Sequence, residues 1–156
     1  MIKAINFKKL LISILIPQVA GALAYLISSN TMDVYNEAVK PPLSLDVNLF
    51  NVIWVIMYLF AGIAAYIIMD SGESIKHAKY YYYIQLIASA LWIIIFFKAH
   101  IFSLAAVWAA VMLALALAAW YLFRKISESA ANILTPYVIW LLYIAYLSIG
   151  IFILNH

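Results

Sequence analysis

Hydrophobic and polar residues do not alternate along this chain; they segregate into blocks. Five stretches contain no Asp, Glu, Lys, Arg or His: residues 10–28, 49–69, 80–97, 101–123 and 133–154. An α-helix needs about 20 apolar residues to cross a bilayer core, and all five runs are close to that length. A membrane β-barrel would need alternating positions in units of roughly 10 residues, which runs such as LLISILIP and LWIIIFF lack. The pattern predicts an all-α integral membrane protein, a five-helix bundle forming a single domain over residues 1–156. A secretory signal is the alternative for the first run, since Lys3, Lys8 and Lys9 precede it and Ala22-Leu23-Ala24 resembles a cleavage site. The apolar run continues through Tyr25 to Ile27, which favours a retained helix.

Composition agrees with the blocks. Of 156 residues, 69% are hydrophobic and 10% are charged, against roughly 25% charged in soluble domains, and the mean hydropathy is +1.07. So few charges cannot clothe a water-facing surface. The absence of cysteine excludes disulfides, thiolate metal sites and thiol catalysis. The net charge of +3 does not point to nucleic acid, because the basic residues punctuate the apolar runs instead of forming one face.

Their distribution predicts an orientation. Lys3, Lys8, Lys9, Lys76, Lys79, Arg124 and Lys125 fall on one side of a five-span topology, and Lys40 and Lys98 on the other. Because Lys and Arg concentrate in cytoplasmic loops, the N-terminus is expected in the cytoplasm. The four tyrosines at 80–83, with Trp120 and Tyr121, are then expected as an interfacial aromatic belt. The expected location is the cell membrane. The connection over residues 29–48 is long, contains Lys40-Pro41-Pro42, and carries Met32, Val34, Tyr35, Val39, Leu43 and Leu45. Long loops in compact proteins are commonly functional, and this one is expected to pack as a lid over the end of the bundle.

No ionisable side chain lies within the spans. Coupled pumps and voltage sensors place such groups in the membrane, so ion-coupled transport is not expected, and intramembrane metal sites lack their ligands. The spans offer aromatic faces instead. Gln85, Ser89, Trp92 and Phe96 share one helical face, as do Trp54, Tyr58, Ala61, Gly62 and Ala65, and Pro136, Trp140, Tyr143 and Leu147. The first span presents Pro17, Gln18, Gly21 and Tyr25. An apolar aromatic cavity with a few polar groups is the usual form of a small-molecule site, although aromatic stripes also simply fill cores. Ala106, Ala110, Ala114 and Ala118 form a small-residue ridge at four-residue spacing, suited to close helix packing in lipid; packing inside the bundle is expected before a dimer contact.

Three motifs then carry a resemblance along nearly the whole chain: Lys40-Pro41 followed by Phe50, Trp54 and Tyr58; Gln85-Leu86, Trp92 and Phe96-Phe97; and Pro136-Tyr137, Trp140 and Leu147. Their order and spacing resemble the TspO/MBR family, the tryptophan-rich sensory proteins related to the mitochondrial translocator protein or peripheral benzodiazepine receptor. The resemblance implies a five-helix protein, commonly a homodimer, that binds porphyrins such as protoporphyrin IX and haem, and in some members sterols or benzodiazepine-type drugs, beneath the first loop. It implies that Trp54 and Trp140 match the tryptophan pair proposed in some bacterial members to support light-dependent porphyrin breakdown. Tyr35 matches the loop tyrosine, and Tyr58, Trp92 and Phe96 complete the wall. The candidate ligand-binding set is Tyr35, Trp54, Tyr58, Gln85, Ser89, Trp92, Phe96, Trp108, Tyr137, Trp140 and Ile144. No intrinsic cofactor or metal is expected; the porphyrin or haem is the ligand, and membrane lipid is the surroundings.

The chain departs from the family pattern in several places. Ser89 and Ser148 stand where asparagine is usual, each keeping a hydrogen-bonding group of shorter reach. Leu45-Asp46 replaces a usual Pro-Pro, Val34 a tryptophan, and Trp108 an acidic residue of some members. No Lys or Arg follows Lys125, so the last span cannot complete the proposed sterol motif. The reading is a membrane binding protein (sensor, carrier or scavenger) for porphyrin or a related aromatic ligand. The alternatives are a light-dependent porphyrin-degrading enzyme, or a sterol-binding or structural membrane protein. His77, His100 and His156 are read as solvated loop or terminal residues.

Overall fold

The computed structural model describes residues 5–31, 33–72 and 75–156; Lys3 and Met32, used above, lie outside the described residues. Five long helices are present: α1 (Phe7–Ser28), α3 (Val47–Asp70), α4 (Lys76–Ile93), α5 (Phe102–Ile126) and α6 (Glu128–Leu154), with a short α2 (Asp33–Glu37) in the first connection. All five long helices have the length and hydropathy of membrane spans. They exceed the charge-free runs because helices continue into the polar headgroup zone, where side chains close their ends. Asn6, Asp46 and Ser127 each accept a backbone N–H in the first turn of α1, α3 and α6.

The helices close a ring in the order α1, α3, α6, α5, α4, with α4 returning to α1. Small residues set the closest approaches. A side chain at Gly62 on α3 would meet the α1 backbone, 2.7 Å from the Ile14 Cα and 2.8 Å from the Ser13 oxygen. On α5 the inward stripe is Ala105, Ala109, Met112, Ala116, Ala119 and Phe123. The expected inward ridge at Ala106, Ala110, Ala114 and Ala118 is not that stripe. Ala106 is buried, but Ala110 and Ala114 are exposed and Ala118 is half-buried. Four-residue steps advance 400°, so a strict ridge drifts about 40° per step around a helix of 3.6 residues per turn.

One further expectation changes, and one feature is new. The four consecutive tyrosines do not all anchor the surface: Tyr80 is exposed, whereas Tyr82 is buried against Phe123 with ring centroids 5.8 Å apart. Consecutive helical residues point about 100° apart, so four of them span the whole circumference. The end of α4 also relaxes into a π turn at Ile94–Lys98, a feature often found at functional sites. Both Phe96 and Phe97 are buried there.

The long connection is folded. Tyr35 on α2 is buried and packs against Phe50, Phe96 and Phe97, with centroids 5.7–6.4 Å apart. Its hydroxyl donates to the Leu45 carbonyl at 2.7 Å. Lys40 curls back, its ammonium donating to the carbonyls of Tyr35, Asn36 and Ala38 at 2.9–3.2 Å. The loop thus covers the bundle end and inserts a side chain into it.

Candidate ligand site

The loop half of the bundle holds a continuous aromatic cluster. Phe50 touches Trp54, Trp92, Phe97 and Trp140; Trp92 stacks on Phe96 at 5.1 Å, and Trp140 stacks on Tyr143 at 5.1 Å. The rings come from α3, from α4 with its π turn, and from α6, and Trp54, Trp92, Phe96, Trp140 and Tyr143 were on inward faces by spacing. Aromatic pairs at these separations add about 0.5–1.5 kcal/mol beyond area burial, so the cluster is rigid as well as apolar.

Buried polar pairs lie within and below this cluster. The Tyr58 hydroxyl and Ser89 Oγ are 2.9 Å apart, and the Tyr137 hydroxyl donates to Gln85 Oε1 at 2.8 Å. Trp92 Nε1 donates to Ser148 Oγ at 3.1 Å, and Ser148 in turn donates to the Ile144 carbonyl at 2.7 Å. These bonds satisfy side chains that are all buried, as a medium without water requires. Two indoles in the same region are not satisfied: Trp54 Nε1 and Trp140 Nε1 are buried with no acceptor among the described residues. Their rings meet edge to face, 5.9 Å apart.

The space directly under the loop, where a cavity was expected, is filled by Tyr35, Phe50 and the α4 phenylalanines. The open volume lies to one side. A cavity of about 590 Å³ runs along the seam between α1 and α3, from Asn48 and Asn51 at the loop end to Gln18 and Tyr58 in the middle. Phe50, Trp54, Tyr58 and Phe97 form its inner wall, and Gly21, Ala22, Tyr25 and Leu26 its α1 wall. Gly21 is required by the geometry, since a Cβ there would lie 2.4 Å from the Tyr58 ring.

Of the eleven candidate residues, Trp54 and Tyr58 line this cavity. Tyr35, Trp92, Phe96 and Trp140 build the aromatic cluster behind it. Gln85, Ser89, Tyr137 and Ile144 are buried in the polar half and its surroundings. Trp108 stands apart: it is half-buried, donates to the Ala88 carbonyl at 2.8 Å, and lines a small apolar cleft between α4 and α5. Asn48, Asn51, Phe50 and Phe97 were not among the candidates as lining residues. For Asn48, Phe50 and Asn51 the signal was present in the polar-aromatic start of α3, and for Phe97 in the Phe96-Phe97 pair, but their relation to α1 depends on how the helices pack.

Tyr35 is the titratable group that holds the loop outside the spans. Desolvation pushes its phenol up from 10 to about 12, with the neighbouring Tyr143 and Asp46 adding to the rise and Ser44 opposing it. Among the described residues, no three His, Cys, Asp or Glu side chains converge as a metal site.

Comparison with known proteins agrees with this architecture. The chain is 27% identical over 157 residues to the tryptophan-rich protein TspO of Archaeoglobus fulgidus, covering 96% of this chain and 99% of that protein. The TspO/MBR family model matches residues 13–154, which include all three aromatic motifs, the folded loop and both walls of the cavity. This multi-pass membrane protein therefore belongs to the TspO/MBR family.

Proposed function

We propose that this protein binds a porphyrin such as protoporphyrin IX or haem, or a related flat aromatic ligand, as a sensor, carrier or scavenger. Family membership supports the coarser statement, a membrane sensor or binding protein. The observation that carries the ligand class is the side cavity, with four aromatic rings on its inner wall and an unpartnered buried indole N–H at Trp54. Its volume of about 590 Å³ falls within the roughly 300–1,000 Å³ typical of ligand sites. A flat ring system stacks on such a wall, and a carbonyl or carboxylate on the ligand satisfies the indole. Binding then removes a standing cost, because a buried donor without an acceptor costs about 1–3 kcal/mol.

The test is fluorescence titration of the protein in vesicles with protoporphyrin IX and with haemin. Saturable quenching of tryptophan emission, displaced by excess unlabelled ligand of the other kind, is expected. Quenching that rises linearly with ligand in the bilayer, without saturation, overturns the reading.

A second reading, light-dependent porphyrin breakdown, is favoured by the direct contact of Trp54 with Trp140. It predicts loss of porphyrin absorbance under illumination that a Trp54→Phe, Trp140→Phe double variant no longer supports. The functional form proposed is a homodimer in the cell membrane with its N-terminus in the cytoplasm. Ala110 and Ala114, exposed on α5, suit close approach of a second copy.

A further inference from the structure

We propose that the ligand enters from within the bilayer, sideways between α1 and α3, while the loop stays closed. The proposal rests on the reading of the cavity as the ligand site. It adds the route and the ligand class: a membrane-partitioned amphiphile with an apolar ring body and a polar end held near Asn48 and Asn51.

The loop is strapped to the wrong helix to serve as the entrance. Among the described residues, the hydrogen bonds that tie residues 38–45 to a membrane-spanning helix all go to α6. Val39 N–H donates to Asn155 Oδ1 and Asn155 Nδ2 to the Val39 carbonyl, both at 2.8 Å. Leu45 N–H donates to the Tyr143 hydroxyl at 3.2 Å, which donates to the Leu43 carbonyl at 3.1 Å. Tyr146 donates to the Pro42 carbonyl at 2.7 Å. Pro41 sits so close to Gly150 that a Cβ there would be 2.5 Å from the ring. Lifting the loop breaks these bonds together and withdraws Tyr35 from its aromatic contacts, yet the cavity opens along a different seam, between α1 and α3.

Helix α1 has the reverse character. Only 17% of its apolar stretch is buried, against 33–50% in the other four spans. Its far end is held to α3 by Asn6 N–H on the Tyr66 hydroxyl at 3.0 Å and Lys9 on Asp70 at 3.3 Å. Its backbone then meets α3 closely at Ser13 and Ile14, opposite Gly62. Immediately beyond this contact comes Pro17, which has no N–H for the Ser13 carbonyl and so loosens the helix there. In the loop half, the one hydrogen bond crossing the seam among the described residues is Gln18 Nε2 to the Val55 carbonyl, at 2.9 Å.

The helix is thus pinned at one end, has a weak point next to the pin, and is lightly held where the cavity opens. The mouth faces lipid, since Tyr25, Leu26, Val52 and Val55 line the cavity and are exposed on the flank of the bundle. A ligand dissolved in the bilayer reaches Trp54 by a small outward swing of the upper half of α1, with no passage through water.

Because the chain has no cysteine, tethers can be placed cleanly. One variant carries Leu26→Cys with Val52→Cys across the seam, the other Val39→Cys with Asn155→Cys between loop and α6, each closed with a short reducible thiol cross-linker. Association of protoporphyrin IX in phosphatidylcholine vesicles is followed by stopped-flow tryptophan quenching. The seam tether is expected to slow association by about tenfold or more and a reductant to restore it, while the loop tether leaves the rate unchanged. In the untethered protein the rate should follow the porphyrin mole fraction in the lipid. A loop tether that slows association, or a seam tether that does not, overturns the route while leaving the binding site standing. Absence of saturable binding in both reduced variants and in the unaltered protein overturns the site and the route together.

Discussion

Trp54 and Trp140 meet edge to face at 87°, and neither indole N–H has an acceptor among the described residues. The Trp54 donor on the cavity wall is what a site needs when its ligand supplies the acceptor, and Trp140 packs against that indole from behind. Replacing either residue by phenylalanine removes a donor and keeps most of the ring surface. Each single variant is expected to weaken porphyrin binding by about 0.5–1.5 kcal/mol, roughly two- to tenfold in Kd. Titrations of the two singles and the double check this; if the two donors share one acceptor, the losses will be non-additive.

Trp92 shows the opposite arrangement, with its indole satisfied by Ser148. Ser148→Ala deletes that acceptor in a fully buried place and is expected to destabilise the protein by about 1–3 kcal/mol. The change appears as a lower thermal midpoint in detergent or vesicles, with porphyrin association otherwise preserved. A midpoint equal to that of the unaltered protein contradicts the assignment.

Gly62 controls the spacing of α1 and α3, because the atoms that its Cβ would meet belong to the α1 backbone and cannot rotate away. Gly62→Ala forces the helices apart at the pin, with an expected cost of about 1–3 kcal/mol. Since the cavity lies on the same seam, the porphyrin dissociation rate should rise in parallel with the fall in thermal midpoint. Gly72 is a contrast away from the seam: its positive φ of 78° makes an alanine there cost backbone strain, with open space and no helix to push aside.

The loop carries a predictable alkaline limit. The Tyr35 phenol is pushed up to about 12 in the folded protein from an ordinary value of 10. Below pH 10 both states are protonated and the full contribution of Tyr35 is present. Between pH 10 and about 12 the unfolded chain ionises while the folded chain does not, so stability falls as pH rises. The difference in thermal midpoint between the unaltered protein and Tyr35→Phe should be constant below pH 10 and shrink above it. Phenolate absorbance at high pH provides the independent titration.

The five helices could be read directly from the amino-acid order, and the reason is the solvent. In lipid each segment must satisfy its own backbone, so a charge-free run of about 20 residues has essentially one structure available. The aromatic faces were equally legible, since Trp54 and Tyr58, or Gln85, Ser89 and Trp92, share a side of any α-helix whatever it packs against. Local rules failed where facing partners decide the outcome. Ala106 and Ala110 are the same residue type at the same spacing, yet one is buried and the other exposed, because α6 and α4 choose the stripe of α5 that they cover. Tyr82 is buried and Tyr80 is not for the same reason. The cavity is the clearest case: its walls come from residues 18–26 and 48–58, and from Ile93 and Phe97 on a third element. Spacing within a helix says which side chains point together, but the gap between two helices exists only once both have packed.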